Sequence, residues 1–146
     1  MRKNIFRLVL VSAFVSIIIS CAKEDGTTTS PSSSTPTLDR DKFLGNWQVE
    51  SHHSTGQTLF WGMDFLEATS TSEVYIDNLD QMGAGNHVTA TVSGSTFTIP
   101  QQSVSTSSGT EIFSGSGSYT GGNLSFNYIV DDGTPNIDTV SATAHR

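Results

Sequence analysis

The sequence predicts an all-β domain, an antiparallel up-and-down meander of about eight strands closed into a barrel, and three observations predict it. Apolar residues recur with a period of two, residues that tolerate positive φ fall between the alternating runs, and the connections are short. A two-sheet β-sandwich is the alternative that the same strands allow. Closure is favoured because it leaves no strand edge open to solvent and aggregation.

The first strand is read at 46–53, from Trp47 to His53. In the second, at 58–67, Leu59, Trp61, Met63 and Phe65 alternate with Phe60, Gly62, Asp64 and Leu66. The third, at 72–79, carries Val74 and Ile76 against Glu73, Tyr75 and Asp77, and the fourth, at 86–93, alternates Val88, Ala90 and Val92 with threonines. Ser93-Gly94 then supplies a hairpin turn, and Phe97 and Ile99 mark a fifth strand at 95–100. The sixth, at 110–119, holds Gly115 and Gly117, which read as a bulge or sharp bend in the wall. After Gly121-Gly122-Asn123 the seventh, at 122–131, alternates Leu124, Phe126, Tyr128 and Val130 with Ser125, Asn127 and Ile129. Asp132-Gly133 turns the chain into an eighth at 137–145, where Val140, Ala142 and Ala144 alternate with Thr139, Ser141 and Thr143. The alternating set mixes small residues (Ala90, Ala142, Ala144, Gly62) with Trp61, Phe65, Phe97, Phe126 and Tyr128. Both a filled barrel and one with room for a ligand are therefore open.

The residues before this domain have their own logic. A basic start, Met1-Arg2-Lys3-Asn4 with Arg7, leads into an apolar run at 8–19 that ends at Ser20-Cys21. The run is too short for a permanent membrane span, which needs roughly 20 residues, and reads as a cleaved export signal at 1–20. Cys21 is the only cysteine, so no disulfide is expected. Residues 26–37 are almost all Thr, Ser, Pro and Gly, a composition that cannot bury enough apolar area to offset its ordering entropy. With the thiol at Cys21, residues 21–38 are expected to form a flexible tether reaching about 20–25 Å. The folded domain is placed at 39–146. From Asp39 onward twelve acidic residues face three basic ones, a net charge of −9. Phosphate backbones are repelled by such a domain, and no nucleic-acid partner is expected.

Chemistry-bearing residues are few. The histidines are His52, His53, His87 and His145, and no serine lies in a glycine-flanked elbow, so no enzyme activity and no catalytic residue is expected. A His–acid–Ser cluster converging in space would reopen that question. His52 and His53 project to opposite faces of one strand, and Asp131, Asp132 and Asp138 match no calcium-loop spacing, so no metal or other cofactor is expected. Those acids, like Asp77-Asn78-Leu79-Asp80, read first as turn chemistry.

Residues 1–21 resemble the bacterial lipoprotein signal, in which a small residue precedes a cysteine that accepts lipid. The resemblance implies that Cys21 is the lipid attachment point, holding the chain to a membrane through several acyl chains. Lys23, Glu24 and Asp25, directly behind it, resemble the surface-export tag of Bacteroidetes-type lipoproteins. This implies an outer-membrane location with the domain exposed at the cell surface.

Phe43-Leu44-Gly45-Asn46-Trp47 resembles the glycine-x-tryptophan opening of the lipocalin and wider calycin superfamily. That resemblance implies a lipocalin-like barrel whose closed end is plugged by Trp47, with Gly45 turning the chain and Arg146 lying over the tryptophan ring. The domain lacks a second lipocalin motif and the carboxy-terminal helix. It is closer to small lipocalin-like lipoprotein domains of Bacteroidetes, on Val74 to Leu79, Val88 to Gly94, Phe97 to Gln102 and the last two strands. Binding of a small hydrophobic molecule or a glycan, or service as an accessory subunit, is the expectation. Outward Trp61 or Tyr75 would stack on sugar rings in the glycan case. The alternative is a solidly packed domain that docks another envelope protein.

Overall fold

The computed structural model describes residues 37–135 and 137–146. The strands are β1 (Gly45–His53), β2 (Thr58–Glu67), β3 (Glu73–Asp77), β4 (His87–Ser93), β5 (Thr96–Thr106), β6 (Gly109–Thr120), β7 (Asn123–Asp131) and β8 (Asp138–His145). Each pairs antiparallel with the next, and β8 returns to β1 from Gln48↔His145 to His53↔Val140, so the sheet closes into an eight-stranded up-and-down barrel. The two-sheet sandwich is thereby set aside.

Alternation drives this closure. Inward residues of β7 and β8, from Leu124 to Val130 and from Val140 to Ala144, are buried, while their neighbours at the next position are exposed or half-buried. Burying one face of each strand around a common centre removes apolar area from water without leaving an unpaired ladder edge.

Two strands depart from expectation. β3 stops at Asp77, because Asn78 takes a left-handed φ of 60° and turns the chain into a short 3₁₀ turn, Leu79–Gln81. β5 runs on to Thr106 rather than ending at 100. One extra β5 residue is accommodated between Ile99↔Gly115 and Gln102↔Phe113, so Pro100, which has no N–H to donate, sits at a bulge. The bulge thus lies on the strand facing Gly115. The upper half of β4 makes no backbone ladder with β5; there the Gln102 carboxamide accepts from Thr89 N at 2.8 Å and donates to Thr89 O at 2.7 Å. A side chain stands in for a strand.

Gly115 and Gly117 serve packing. A Cβ on Gly117 would lie 2.5 Å from Phe97 Cζ, and one on Gly115 would lie 2.8 Å from Tyr128 Cβ. Their missing side chains make room for the aromatic core. Gly62, by contrast, lies between inward Trp61 and Met63 and faces out, so it leaves no space inside. Trp61 is buried in the core rather than exposed, and Tyr75 is half-buried with its ring 4.4 Å from that of His87.

One end of the barrel is filled. The 3₁₀ turn Asp39–Lys42 carries Phe43 into the interior, where its ring lies 5.9 Å from Phe65 and 5.7 Å from Phe97. Gly45, at φ 114°, makes the turn from this plug into β1 that a side-chain-bearing residue would resist. Trp47, fully buried, donates its indole N–H to Phe43 O at 2.7 Å. Arg146 Cζ lies 4.3 Å from the Trp47 ring centroid, and its guanidinium donates to Lys42 O at 3.0 Å and Leu44 O at 2.7 Å. Cation and ring together pin the segment that enters the barrel, worth about 0.5–2 kcal/mol for the stacked pair.

Candidate functional site

The opposite end is polar and open. β1 reaches it at His53, β8 leaves it at Asp138, and the connections β1–β2, β3–β4, β5–β6 and β7–β8 ring it. A cavity of about 390 Å³ lies there, lined by Asp80, Glu111, Asp132 and Asp138 among mostly hydroxyl-bearing neighbours, with Met82 and Val130 the apolar exceptions.

The floor of this mouth is a hydrogen-bonded chain. Ser51 and His53 stand two residues apart on β1 and so share its inward face. Ser51 Oγ lies 3.1 Å from His53 Nε2, and His53 Nδ1 lies 2.6 Å from Asp138 Oδ2. Asp138 reaches His53 because β8 pairs with β1, a contact across 85 residues of sequence. Its second oxygen accepts from the amide of Ser54 at 3.0 Å and the Ser54 hydroxyl at 2.6 Å. Desolvation pushes the Asp138 carboxyl upward, but the bonds from Ser54 and His53 outweigh it and hold the group below its ordinary value.

Asp80 enters from the β3–β4 connection. Its Oδ1 accepts from the Tyr128 hydroxyl at 2.7 Å and lies 3.5 Å from His53 Nε2. Burial raises the carboxyl above its ordinary value. Tyr128 and His53 oppose that rise, while the like charges of Asp138 and Glu111 add to it. Burial likewise raises the Tyr128 hydroxyl far above its ordinary value, with the Asp80 charge adding, so it stays a donor. Asn78, Asp80 and Gln81 all have positive φ (60°, 53° and 61°); Asn and Asp enter this region with local polar support, whereas Gln81 does so at a cost of roughly 1–2 kcal/mol. Strain of this kind persists where surrounding contacts impose it, and here it aims Asp80 inward.

Ser51, His53 and Asp138 are thus strung in the order of a nucleophile, a base and its orienter. Ser51, however, has no exposed surface, and a nucleophile must be reachable. Asp80 also occupies the approach to Nε2. Among the described residues no group of three or more His, Cys, Asp or Glu side chains is arranged to hold a metal ion.

Of the residues singled out in sequence, Gly45, Trp47 and Arg146 come together at the closed end, far along β1 from the mouth. Asp131 and Asp132 bond the amides of Gly133 and Thr134, and Asp77 that of Gly85, all as turn chemistry. Cys21, Lys23, Glu24 and Asp25 lie outside the described residues. Sequence reasoning missed Ser51, His53, Asp80, Glu111 and Tyr128 as a group. A signal existed for the first two, as polar residues on the inward row of an otherwise apolar strand.

Fold and mouth together define a small closed antiparallel β-barrel, filled at one end and open to a polar cavity at the other. No protein-family model matches the chain, and no curated protein matches it. Solved structures do. A redesigned β-barrel is 19% identical with a TM-score of 0.53, over 75% of this chain and 95% of that one. The redesigned barrel mFAP1 bound to DFHBI is 20% identical with a TM-score of 0.56, over 75% of this chain and 100% of that one. A third structure, EF1p2_mFAP2b bound to DFHBI, is 16% identical with a TM-score of 0.55, over 75% and 99%. At these identities the likeness is one of fold.

Proposed function

We propose that the chain is a lipid-tethered, lipocalin-like binding barrel of the outer membrane that takes a small polar ligand carrying positive charge into its mouth. The carrying observation is the cavity of about 390 Å³ onto which Asp80, Glu111 and Asp138 face. Pockets of roughly 300–1,000 Å³ suit small molecules. The lining speaks for an ammonium or guanidinium group rather than the small hydrophobic molecule that, beside a glycan, was expected from the sequence, because an apolar guest would strip water from several carboxylates without returning hydrogen bonds. Two of the similar barrels carry DFHBI, so this architecture accommodates a small molecule. Hydrolysis is the weaker reading, given the enclosed Ser51.

The tether rests on the lipoprotein-type segment ending at Cys21, with Lys23, Glu24 and Asp25 directing the chain to the cell surface. Thermal-shift screening of the chain against spermidine, choline and arginine, beside fatty acids and neutral oligosaccharides, tests the binding reading. Stabilisation by the cations, lost in Glu111→Gln, is the expected result. Stabilisation by fatty acids alone would overturn it, and no stabiliser at all would shift the account to a domain that docks another envelope protein.

A further inference from the structure

Asp80 and Gln81 hold the least comfortable backbone of the mouth. Both lie in the left-handed region and neither is glycine. The residues on either side are fixed: Leu79 and Met82 are buried in the core, and the Asn78 carboxamide donates to Gly62 O at 2.7 Å and accepts from Gly83 N at 2.9 Å. Between these anchors one backbone bond, from Gln81 N–H to Asn78 O at 3.3 Å, ties the turn, so Asp80 and Gln81 are the residues placed to turn over.

The Asp80 side chain adds a second hold. Its carboxylate lines the cavity on one side and meets His53 Nε2 and the Tyr128 hydroxyl on the other. Behind it the His53 side chain is 5% exposed and Ser51 fully enclosed. The groups facing it come from four strands: His53 on β1 and Tyr128 on β7 attract it, while Asp138 on β8 and Glu111 on β6 repel it. A strained segment held by a few polar contacts against nearby repulsion is a bistable element.

We propose that Asp80 and Gln81 form a flap, latched through Asp80 onto Tyr128 and His53, whose release exposes the enclosed Ser51–His53 pair to the mouth cavity. Turning both residues to right-handed φ relieves the strain and withdraws the carboxylate from the cavity wall. Any cationic group that engages Asp80 competes with the latch. The device needs no particular ligand, so it stands or falls separately from the binding reading.

Carbethoxylation by diethyl pyrocarbonate, read residue by residue by mass spectrometry on the full chain, reports the flap, because exposed His52 and His145 serve as internal references. In the unsubstituted protein His53 is expected to react at least about tenfold more slowly than His52, as a group reached only through local opening does. Asp80→Ala and Tyr128→Phe raise the His53 rate about tenfold while the references and the amide exchange of β7 stay unchanged. Asp80→Asn, which keeps an acceptor for Tyr128 and tolerates left-handed φ, retains the protection. Equal rates at His53 and His52 in the unsubstituted protein, continued protection in Asp80→Ala, or exposure in Asp80→Asn would overturn the latch. So would a rise in His53 reactivity matched by loss of protection throughout β7, which would mark unfolding of the whole barrel.

Discussion

Replacing Gly117 by alanine adds one methyl group where the barrel interior is tightest. Gly117 lies between Phe97 on β5 and Phe126 on β7, its direct partners on the two flanking strands. The new Cβ would fall 2.5 Å from Phe97 Cζ and 2.6 Å from Cε1, and closer still to Phe126 Cβ. Carbon atoms rest about 3.5–4.0 Å apart, so an overlap of roughly 1 Å must be relieved. Phe126 Cβ moves only with its strand. The Phe97 ring is wedged against Phe43, Phe65 and Phe126 at centroid distances of 5.7, 5.4 and 6.0 Å. With neither neighbour able to yield cheaply, the loss belongs at the upper end of overpacking costs, about 3 kcal/mol. At about 4 °C per kcal/mol, calorimetry should show Tm lowered by roughly 12 °C. Gly62→Ala is the control: its Cβ meets Gln48 Nε2 at 3.6 Å, an ordinary contact, and the backbone there does not have positive φ. That substitution is expected to be neutral or stabilising by up to about 1 kcal/mol. Urea unfolding followed by circular dichroism checks both, with the slope unchanged if only the native state is affected. A Gly117→Ala protein as stable as Gly62→Ala would refute the claim that this half of the barrel is packed solid, and with it the confinement of the proposed ligand to the mouth.

Arg146→Ala should cost about 0.5–2 kcal/mol through the lost Trp47 contact and the freed carbonyls of Lys42 and Leu44, read as a lower urea midpoint. The two mouth acids give opposite pH effects. Asp138, held below its ordinary 3.8, contributes stability that is present above that value and drains as pH falls through the folded value, so Asp138→Asn should flatten the acid limb of a stability–pH profile. Asp80, raised above 3.8, contributes stability below that value that is lost as pH rises through its elevated value, so Asp80→Asn should flatten the profile there instead. For the tether, Cys21→Ala should release the protein from membrane fractions, while alanines at Lys23, Glu24 and Asp25 should leave it membrane-bound but shielded from added protease.

The strands were legible because a half-buried strand must alternate, and nearly every run from Leu59 to Ala144 does. The end of β5 was not, because Pro100 looks like a terminus until a bulge on one side of the ladder is known, and the row beyond it, Gln102 to Thr106, is too polar to announce burial. Trp47 and Arg146 share the closed end because β1 begins and β8 ends there, a placement that follows from the meander itself. The mouth was harder. His53 meets Asp138 only through the β1–β8 register, a long-range fact that local pattern does not carry. Asp80 points inward only because two non-glycine residues take left-handed φ, a conformation for which Asp and Gln give no dependable local signal. Alternation put Trp61 on one row with Met63 and Phe65, and that row is the buried one, so only the glycan alternative, which needed Trp61 outward, loses its residue.

The most direct test of a cavity confined to one end is an NMR titration of the isotopically labelled chain with spermidine. Saturable shifts are expected at Asp80, Glu111, Thr134 and Asp138 around the mouth, with Trp47, Phe43 and Tyr119 at the closed end unmoved. Shifts centred on the Trp47 end, or on the outer faces of the strands with the mouth silent, would contradict it.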